Sequence, residues 1–193
     1  MARITVVNNL TLDGVMQGPG HPDEDRRDGF EHGGWAAPYA DEVSAGYATS
    51  SMGTTGGLLL GRWTYEDLQR AWAGRTDNPF TPVLENSPKY VATRTLTEPL
   101  PWMNSIKLDG DVVDAVSKLR AEQEKDLVIL GSGELIQALI ARALIDEYTL
   151  LIHPIVLGEG RRLFRDGSAY SKLVLVDSKP TTTGVLIATY RPA

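Results

Sequence analysis

Cysteine is absent from the 193 residues of the sequence. Without it the chain has no disulfide framework, no thiolate zinc or iron–sulfur site and no cysteine nucleophile. A chain of this length can bury roughly 70% of the surface that it exposes when unfolded, so it can fold without a disulfide or a structural metal. We therefore expect one domain around one core, in a reducing compartment.

Long apolar runs and an excess of positive charge are also missing. No stretch approaches the roughly 20 apolar residues that cross a bilayer, and the N-terminal sequence MARITVVNNLTLDG lacks the apolar segment of a signal peptide. The formal net charge is −6 and the pI is about 5.1, whereas nonspecific nucleic-acid binding depends on lysine and arginine. We expect a cytoplasmic protein that binds neither membranes nor nucleic acid.

Two nucleotide-binding motifs and one nucleophile motif are missing as well. Gly131-Ser132-Gly133 follows an apolar strand and opens a helix, but Ile136 stands where a Rossmann motif needs its third glycine. No Gly-x4-Gly-Lys-Ser/Thr loop occurs, and no Gly-x-Ser-x-Gly elbow supports a hydrolase. The Gly-Ser-Gly turn is then either a plain tight turn or a contact between helix N–H groups and a phosphate.

The apolar pattern that is present alternates strands with helices through most of the chain. Its strands lack the polar and apolar alternation of a half-exposed sheet, as expected when helices cover both faces. This predicts a three-layer α/β/α domain with a mixed, mostly parallel sheet and an antiparallel C-terminal hairpin. The predicted strands are Arg3–Val7, Leu58–Leu60, Lys89–Thr93, Leu127–Leu130, Tyr148–Ile152, Lys172–Val176 and Val185–Tyr190.

Helices are predicted between these strands. They are Asp41–Met52, Tyr65–Ala73 with Thr64 as its cap, a helix capped by Asp111, and the helix opened by the Gly-Ser-Gly turn. An irregular connection is expected from Pro79 to Pro88.

Arginines and hydroxyl groups follow two of the predicted strands. Gly61-Arg62-Trp63-Thr64 follows Leu58–Leu60, and Thr93-Arg94-Thr95 follows Tyr90-Val91-Ala92. Open α/β sheets bind ligands at the carboxyl ends of their strands, and arginine and threonine side chains donate hydrogen bonds suited to phosphates. Together with the Gly-Ser-Gly turn, these strand ends predict a nucleotide site in an otherwise acidic protein.

A family resemblance extends this prediction. The sequence contains, in order, ITVVNNLTLDGVMQGPG, GGW, LLLGRWTYED, PKYVATRTL and LVILGSGELIQALIARALIDEYTLLIHPIVLGEGRRLF. This order resembles the dihydrofolate reductase-like family typified by the reductase domain of the riboflavin-synthesis deaminase-reductase. The resemblance covers nearly the whole chain. It is greatest to the stand-alone members of the family, because no zinc deaminase domain precedes these motifs.

The resemblance implies an NADPH-dependent reductase that transfers a hydride to a small conjugated C=N or C=O compound, such as a pterin or pyrimidine. It places Gly61, Arg62 and Thr64 at the cofactor phosphates and Thr93, Arg94 and Thr95 near the adenosine 2′-phosphate. Over the pyrophosphate and the nicotinamide it places Gly131, Ser132, Gly133, Glu134 and Leu135. Such proteins are often dimeric, and the C-terminal strands and the run Pro154–Leu157 offer more apolar surface than one helix layer covers. We therefore also expect a C2 homodimer.

The substrate end is expected on the first loop. Thr11-Leu12-Asp13-Gly14 is similar to the family's substrate-side segment, so Asp13 is either an acid that orients or protonates the acceptor or a plain turn aspartate. Gln17 is placed on the loop over the nicotinamide. Trp35 is either an aromatic lid over a flat substrate or an anchor of the surface loop.

Three histidines complete the candidates, and none predicts a metal. His153 is interpreted as a core or interface histidine, and His21 and His32 lie in an acidic loop without regular metal-ligand spacing. A second class of function remains open beside the reductase, namely a nucleotide-binding module of the same fold without efficient turnover.

Overall fold

An eight-stranded sheet forms the centre of the computed structural model, which describes residues 1–53, 55–77 and 81–193, with only the backbone at 48–53. The strands follow the order β4-β3-β2-β5-β1-β6-β8-β7. Their bounds are β1 Ile4–Thr11, β2 Gly57–Gly61, β3 Lys89–Ala92, β4 Ser105–Leu108, β5 Leu127–Leu130, β6 Glu147–His153, β7 Leu173–Pro180 and β8 Leu186–Pro192.

The sheet is mixed and mostly parallel. The six strands from β4 to β6 pair in parallel, whereas β8 pairs antiparallel with both β6 and β7. The predicted α/β sheet with a C-terminal antiparallel hairpin is therefore confirmed. The parallel pairing also brings the carboxyl ends of β1, β2, β3 and β5 to one edge.

Helices cover both faces of the sheet. They are α1 Glu42–Gly53, α2 Arg62–Trp72, α3 Thr81–Asn86, α4 Val112–Glu122 and α5 Gly133–Ile140. Side chains of α4 and α5, such as Val116 and Leu139, pack with Ile4 and Val6 on one face. Tyr65 of α2 and Leu84 of α3 pack with Leu58, Leu60 and Val128 on the other. A smaller cluster of Val15, Phe30 and Trp35 lies under the first loop.

The structure corrects the predicted start of α2. The helix begins at Arg62 with Gly61 at the capping position, so the prediction of Thr64 as the cap was wrong. Thr64 lies in the first turn of the helix, where its hydroxyl accepts a hydrogen bond from Ser132 N instead. The predicted Asp111 cap of α4 is confirmed, because its carboxylate accepts hydrogen bonds from Val113 N and Asp114 N.

Two short elements were missed. Helix α3 lies within the connection predicted to be irregular, whose first residue, Pro79, lies outside the described residues. Strand β4 has only four residues, Ser-Ile-Lys-Leu, at the edge of the sheet, and its Ile106 is about half exposed. It therefore contains no apolar run that would predict a strand. Within the described part of the chain, no helix is both long and apolar enough to cross a membrane.

Candidate functional site

A cleft of about 1580 Å³ opens at the carboxyl ends of the parallel strands. This volume exceeds the roughly 300–1,000 Å³ of ordinary small-molecule sites, so the cleft can take a large ligand together with a smaller one. All eleven residues predicted on the cofactor side line it. They are Gly61, Arg62, Thr64, Thr93, Arg94, Thr95, Gly131, Ser132, Gly133, Glu134 and Leu135.

Hydrogen bonds brace the turns after β2 and β5 against each other. Gly61 N donates to Ser132 Oγ at 2.9 Å, and Ser132 N donates to Thr64 Oγ1 at 2.9 Å. The Ser132 hydroxyl in turn donates to Leu130 O at 2.7 Å. The serine and threonine therefore hold the starts of α2 and α5 in a fixed relation at the edge of the cleft.

Gly131 is required by this arrangement. Its φ is +53°, and a Cβ at this position would lie 2.9 Å from Thr64 Oγ1. Helix α5 begins at Gly133, and its first internal hydrogen bond runs from Ile136 N to Ser132 O. The N–H groups before Ile136 thus lie at a helix N-terminus that lines the cleft, where the helix dipole favours an anion.

The arginines of the cleft fall into two groups. Six of them pair with a carboxylate: Arg26 with Asp23, Arg27 with Asp25, Arg70 with Asp67, Arg161 with Asp28, Arg162 with Asp13 and Arg165 with Glu134. Arg62 and Arg94 have no carboxylate partner among the described residues. The guanidinium of Arg62 lies 4.4 Å from the centre of the Trp63 ring.

Thr93 shapes the turn that carries Arg94. Its hydroxyl accepts hydrogen bonds from Thr95 N at 3.2 Å and from Leu96 N at 3.1 Å. These two bonds hold the chain in a tight turn immediately after β3, and Arg94 lies exposed at its tip. The hydroxyl of Thr93 therefore stabilises the turn that presents Arg94.

The first loop covers one side of the cleft and is pinned by Gln17. The buried amide of Gln17 donates to Arg27 O at 3.0 Å and accepts from Arg161 N at 2.9 Å. Arg27 also places its guanidinium 4.7 Å from the centre of the Trp63 ring on α2. Gln17 lines the cleft, but its side-chain amide is used in hydrogen bonds to Arg27 and Arg161.

Partly buried acids lie where this loop meets α2. Burial raises the pKa of Glu24 and of Asp67 above their ordinary values. Repulsion from Asp67 adds to the pKa shift of Glu24, and repulsion from Asp25 adds to that of Asp67. His21 Nε2 lies 3.3 Å from Asp67 Oδ1. Within the described residues, however, histidine and acidic side chains form no group of three that could hold a metal ion.

Asp13 lies outside the lining of the cleft. Its carboxylate accepts hydrogen bonds from Thr11 Oγ1 at 2.6 Å, Gly158 N at 2.9 Å and Leu157 N at 3.2 Å. The Thr11 hydroxyl, followed by these backbone groups, lowers the pKa of Asp13 to about 2. Its catalytic role stays a prediction, but this geometry favours the alternative, a turn aspartate. Thr11 is likewise buried in the turn, where its hydroxyl accepts from Val15 N.

Trp35 and His153 lie together beneath the first loop. Trp35 is buried, and its Nε1 donates to Gln17 O at 2.7 Å. The Trp35 and His153 rings meet edge to face at 5.2 Å, and the ring of Tyr39 contacts His153 in the same way. Since Trp35 does not line the cleft, its position favours the loop anchor over the aromatic lid.

One end of the cleft was not predicted from the sequence. Asn8 and Asn9 of β1, Tyr47 of α1 and Leu151 of β6 also line it. The predicted first strand stopped at Val7, before the two asparagines, whereas β1 continues to Thr11. Two polar residues at the carboxyl end of a strand are a signal that could have found this end, because ligands bind where parallel strands end.

Comparisons with known proteins agree with this fold and cleft. A putative riboflavin biosynthesis protein of Shewanella sp. PV-4 has a similar structure, with a TM-score of 0.69 and 23% identity over 100% of this chain and 99% of that one. A dihydrofolate reductase of Enterococcus faecalis has a TM-score of 0.62 and 16% identity, over 98% of this chain and 96% of that one. The fold is thus that of the dihydrofolate reductase-like proteins.

Sequence comparison gives the family within this class. The chain belongs to the RibD C-terminal domain family, whose model matches residues 2–187. It is also 31% identical over 138 residues to the uncharacterized protein YyaP of Bacillus subtilis, covering 69% of this chain and 72% of YyaP. The family resemblance read from the sequence motifs is confirmed.

Proposed function

We propose that the chain is an NADPH-dependent reductase that transfers a hydride to a small conjugated C=N or C=O compound, similar to a pterin or a pyrimidine. Membership of the RibD C-terminal domain family supports the reductase class. The Enterococcus faecalis reductase of similar fold was solved in complex with NADP(H). NADPH supplies the hydride when bound, and the chain's own residues hold the cofactor's phosphates, orient it and exclude water.

Arg62 and Arg94 carry this proposal. They follow β2 and β3, which are neighbours in the sheet, and no carboxylate among the described residues neutralises them. A guanidinium without a carboxylate partner can bind a phosphate directly, whereas a paired arginine must first give up its acid. NADPH differs from NADH by one phosphate on the adenosine ribose, so two such arginines at one end of the cleft favour NADPH.

The two braced turns fit the pyrophosphate of this cofactor. Gly131 leaves no room for a side chain between the turn and Thr64, so the backbone itself forms the wall of the cleft. The N-termini of α2 and α5 both lie at this wall, and helix N-termini favour anions. Ser132 fixes their relation through its bonds to Gly61 and Thr64.

A thermal scan with each cofactor tests the proposal. At one hundred times its dissociation constant, a ligand adds about 2.7 kcal/mol to the free energy of unfolding. For a chain of this size that corresponds to a rise of about 5–10 °C in the melting midpoint. We expect this rise with NADPH and a smaller one with NADH at the same concentration. No rise with either cofactor would contradict the proposed site.

A nucleotide-binding module without efficient turnover is the second candidate. The observation in its favour is the engagement of Asp13, the predicted acid, in a turn outside the cleft. Such a module would show the thermal shift with NADPH but no oxidation of the cofactor. Screening dihydropterins, quinones and conjugated imines for NADPH oxidation separates the two candidates.

We also propose that the protein is a homodimer that pairs through β7. This strand lies at the edge of the sheet, and Val174, Leu175 and Val176 are each about half exposed, at 51%, 52% and 48%. An exposed apolar edge strand is a surface that natural proteins usually cover. Light scattering at micromolar protein should report about twice 21.1 kDa, and a monomer mass would contradict the dimer.

A further inference from the structure

One end of the cleft is neutral, in contrast with its arginine-rich rim. Val7, Asn9 and Leu151 lie on the sheet face that α1 covers, because β1 and β6 pair Val7 with Thr149 and Asn9 with Leu151. Tyr47 of α1 completes this end and bonds to Thr149. In the sequence, helix α1 carries no charged residue after Glu42. The part of a ligand that enters here therefore meets uncharged groups.

Only some of the polar groups at this end are available to a ligand. Asn8 Nδ2 donates to Gly131 O at 3.2 Å, and the Tyr47 hydroxyl donates to Thr149 Oγ1 at 2.9 Å. The hydroxyl proton of Tyr47 and one of the two amide protons of Asn8 are thus engaged. No described residue accepts a hydrogen bond from Asn9 Nδ2, since the one side-chain contact of Asn9 joins its Oδ1 to His153 Nε2 at 2.9 Å.

His153 fixes the orientation of the Asn9 amide. An amide oxygen can only accept, so His153 Nε2 must carry the proton of this bond. The ring is 4% exposed, and burial lowers the pKa of His153 to about 4, so it is neutral at physiological pH. Its other nitrogen, Nδ1, has no partner among the described residues. With its oxygen held by His153, Asn9, which lines the cleft, has its NH2 group left to donate to a ligand.

We propose that Asn9 binds the substrate by donating a hydrogen bond from Nδ2 to a carbonyl oxygen of an uncharged acceptor, with His153 as the positioning residue. This inference rests on the proposed reductase function and selects between the two acceptor classes left open there. An amide donor matches the carbonyl of a conjugated C=O compound. A protonated C=N group would instead need a carboxylate to balance its charge, and none of the described residues that line this end carries one.

Binding of a matched pair of quinones tests the inference without turnover. The probes are 1,4-naphthoquinone and its 2-sulfonate, titrated calorimetrically into protein saturated with NADP⁺. The absence of cysteine removes the thiols that would otherwise add to a quinone. We expect the wild-type protein to bind the neutral quinone at least tenfold more tightly than the sulfonate. Equal affinities, or no binding of the neutral quinone, would overturn the assignment of an uncharged carbonyl acceptor.

Variants at both positions test the roles of the two residues. Asn9→Ala and Asn9→Asp both remove the donor, so each should weaken naphthoquinone binding about three- to tenfold, the range of one net hydrogen bond. His153→Phe should weaken it similarly, whereas His153→Gln keeps a donor to Asn9 and should restore most of the affinity. Asn86→Ala, on an exposed residue outside the cleft, is the matched control.

The cofactor provides the readout that separates this inference from the proposed function. NADP⁺ affinity should be the same in wild type and all five variants, because the phosphates are held at the other end of the cleft. If the wild-type protein did not bind NADP⁺, the reductase proposal would be contradicted. Normal NADP⁺ binding together with unchanged naphthoquinone affinity in Asn9→Ala and Asn9→Asp would overturn the role of Asn9 alone. The Asn9 variants decide this even if His153→Phe does not fold.

Discussion

The two sides of the cleft differ in how their residues are used. On the side of β2, β3 and β5, all the predicted residues line the cleft, and the two arginines remain without acidic partners among the described residues. On the side of the first loop, Asp13 and Trp35 make hydrogen bonds that hold the loop in place. The first side thus keeps two arginines for a ligand, whereas Asp13 and Trp35 on the second side stabilise the fold.

Sequence distance explains the difference. The turns after β2 and β5 are defined by short local motifs at strand ends, where ligands bind in open sheets. Asp13, in contrast, receives its backbone hydrogen bonds from residues 144 and 145 positions away. Its residue type is compatible with both catalysis and turn formation, and only the distant partner decides between them.

Removal of the unpaired arginines should have the largest effect. Arg62→Ala combined with Arg94→Ala should weaken NADPH binding at least about 100-fold, because hydrogen bonds to charged groups contribute about 1.5–3 kcal/mol each. NADH binding should change much less if Arg94 contacts the additional phosphate. Fluorescence titration of both cofactors measures this.

Arg26→Ala is the matched control, since Arg26 also lines the cleft but is paired with Asp23. If the control and the double variant lost the same affinity, the distinction between paired and unpaired arginines would have no functional meaning.

A methyl group at Gly131 should have the next largest effect. In Gly131→Ala the positive φ costs roughly 1–2 kcal/mol, and the new Cβ meets Thr64 at 2.9 Å. We expect a total loss of about 2–3 kcal/mol in the free energy of unfolding, together with weaker NADPH binding. Urea denaturation measures the first quantity.

Gly158→Ala separates the cost of the positive φ from the cost of the contact with Thr64. Gly158 also has a positive φ, at +80°, but its Cβ would meet nothing within 4 Å. Its loss should therefore be limited to backbone strain, without an effect on NADPH. Equal losses in the two variants would show that the contact between Gly131 and Thr64 does not matter.

The fold was predictable where the apolar pattern is continuous. Strand β5 was predicted with its observed bounds, because its four successive apolar residues lie between the charged Asp126 and Gly131. The first strand was predicted too short because Asn8, although polar, is buried and bonds to Gly131 O. Asn9 was missed for the same reason, because its oxygen is bonded to the distant His153. A polar residue whose hydrogen-bond partner lies in a distant segment does not show locally that it belongs to a strand.

Asp13→Asn should have a moderate effect on stability that depends on pH. Because the folded-state pKa of Asp13 is lowered to about 2, its ionised form stabilises the fold at any pH above the unfolded value of about 3.9. This contribution is at most about 2 kcal/mol at about 1.36 kcal/mol per unit, and solvent screening of the partly exposed carboxylate reduces it. It is lost as the pH falls from about 4 to 2. The variant should be roughly 1–2 kcal/mol less stable than wild type at neutral pH, with a difference that shrinks below pH 4.

Cofactor affinity and turnover complete the test of Asp13. A turn role predicts unchanged NADPH affinity and little change in hydride transfer. A role in orienting or protonating the acceptor predicts a rate about 10²–10⁴ times lower. Asp109→Asn, at an exposed position after β4, controls for the loss of one negative charge. A large loss of rate without loss of stability would return Asp13 to the catalytic site.

Trp35→Phe should have the smallest effect and separates the loop anchor from the lid. Phenylalanine keeps the packing against Val15 and Phe30 but loses the hydrogen bond from Nε1 to Gln17 O. The loss of one neutral hydrogen bond costs about 1 kcal/mol, which lowers the melting midpoint by about 2–4 °C at this size. An anchor predicts this decrease with an unchanged KM for the acceptor. A lid predicts the reverse, a raised KM with an unchanged midpoint, because an exposed ring that stacks on the substrate adds nothing to the folded state without it.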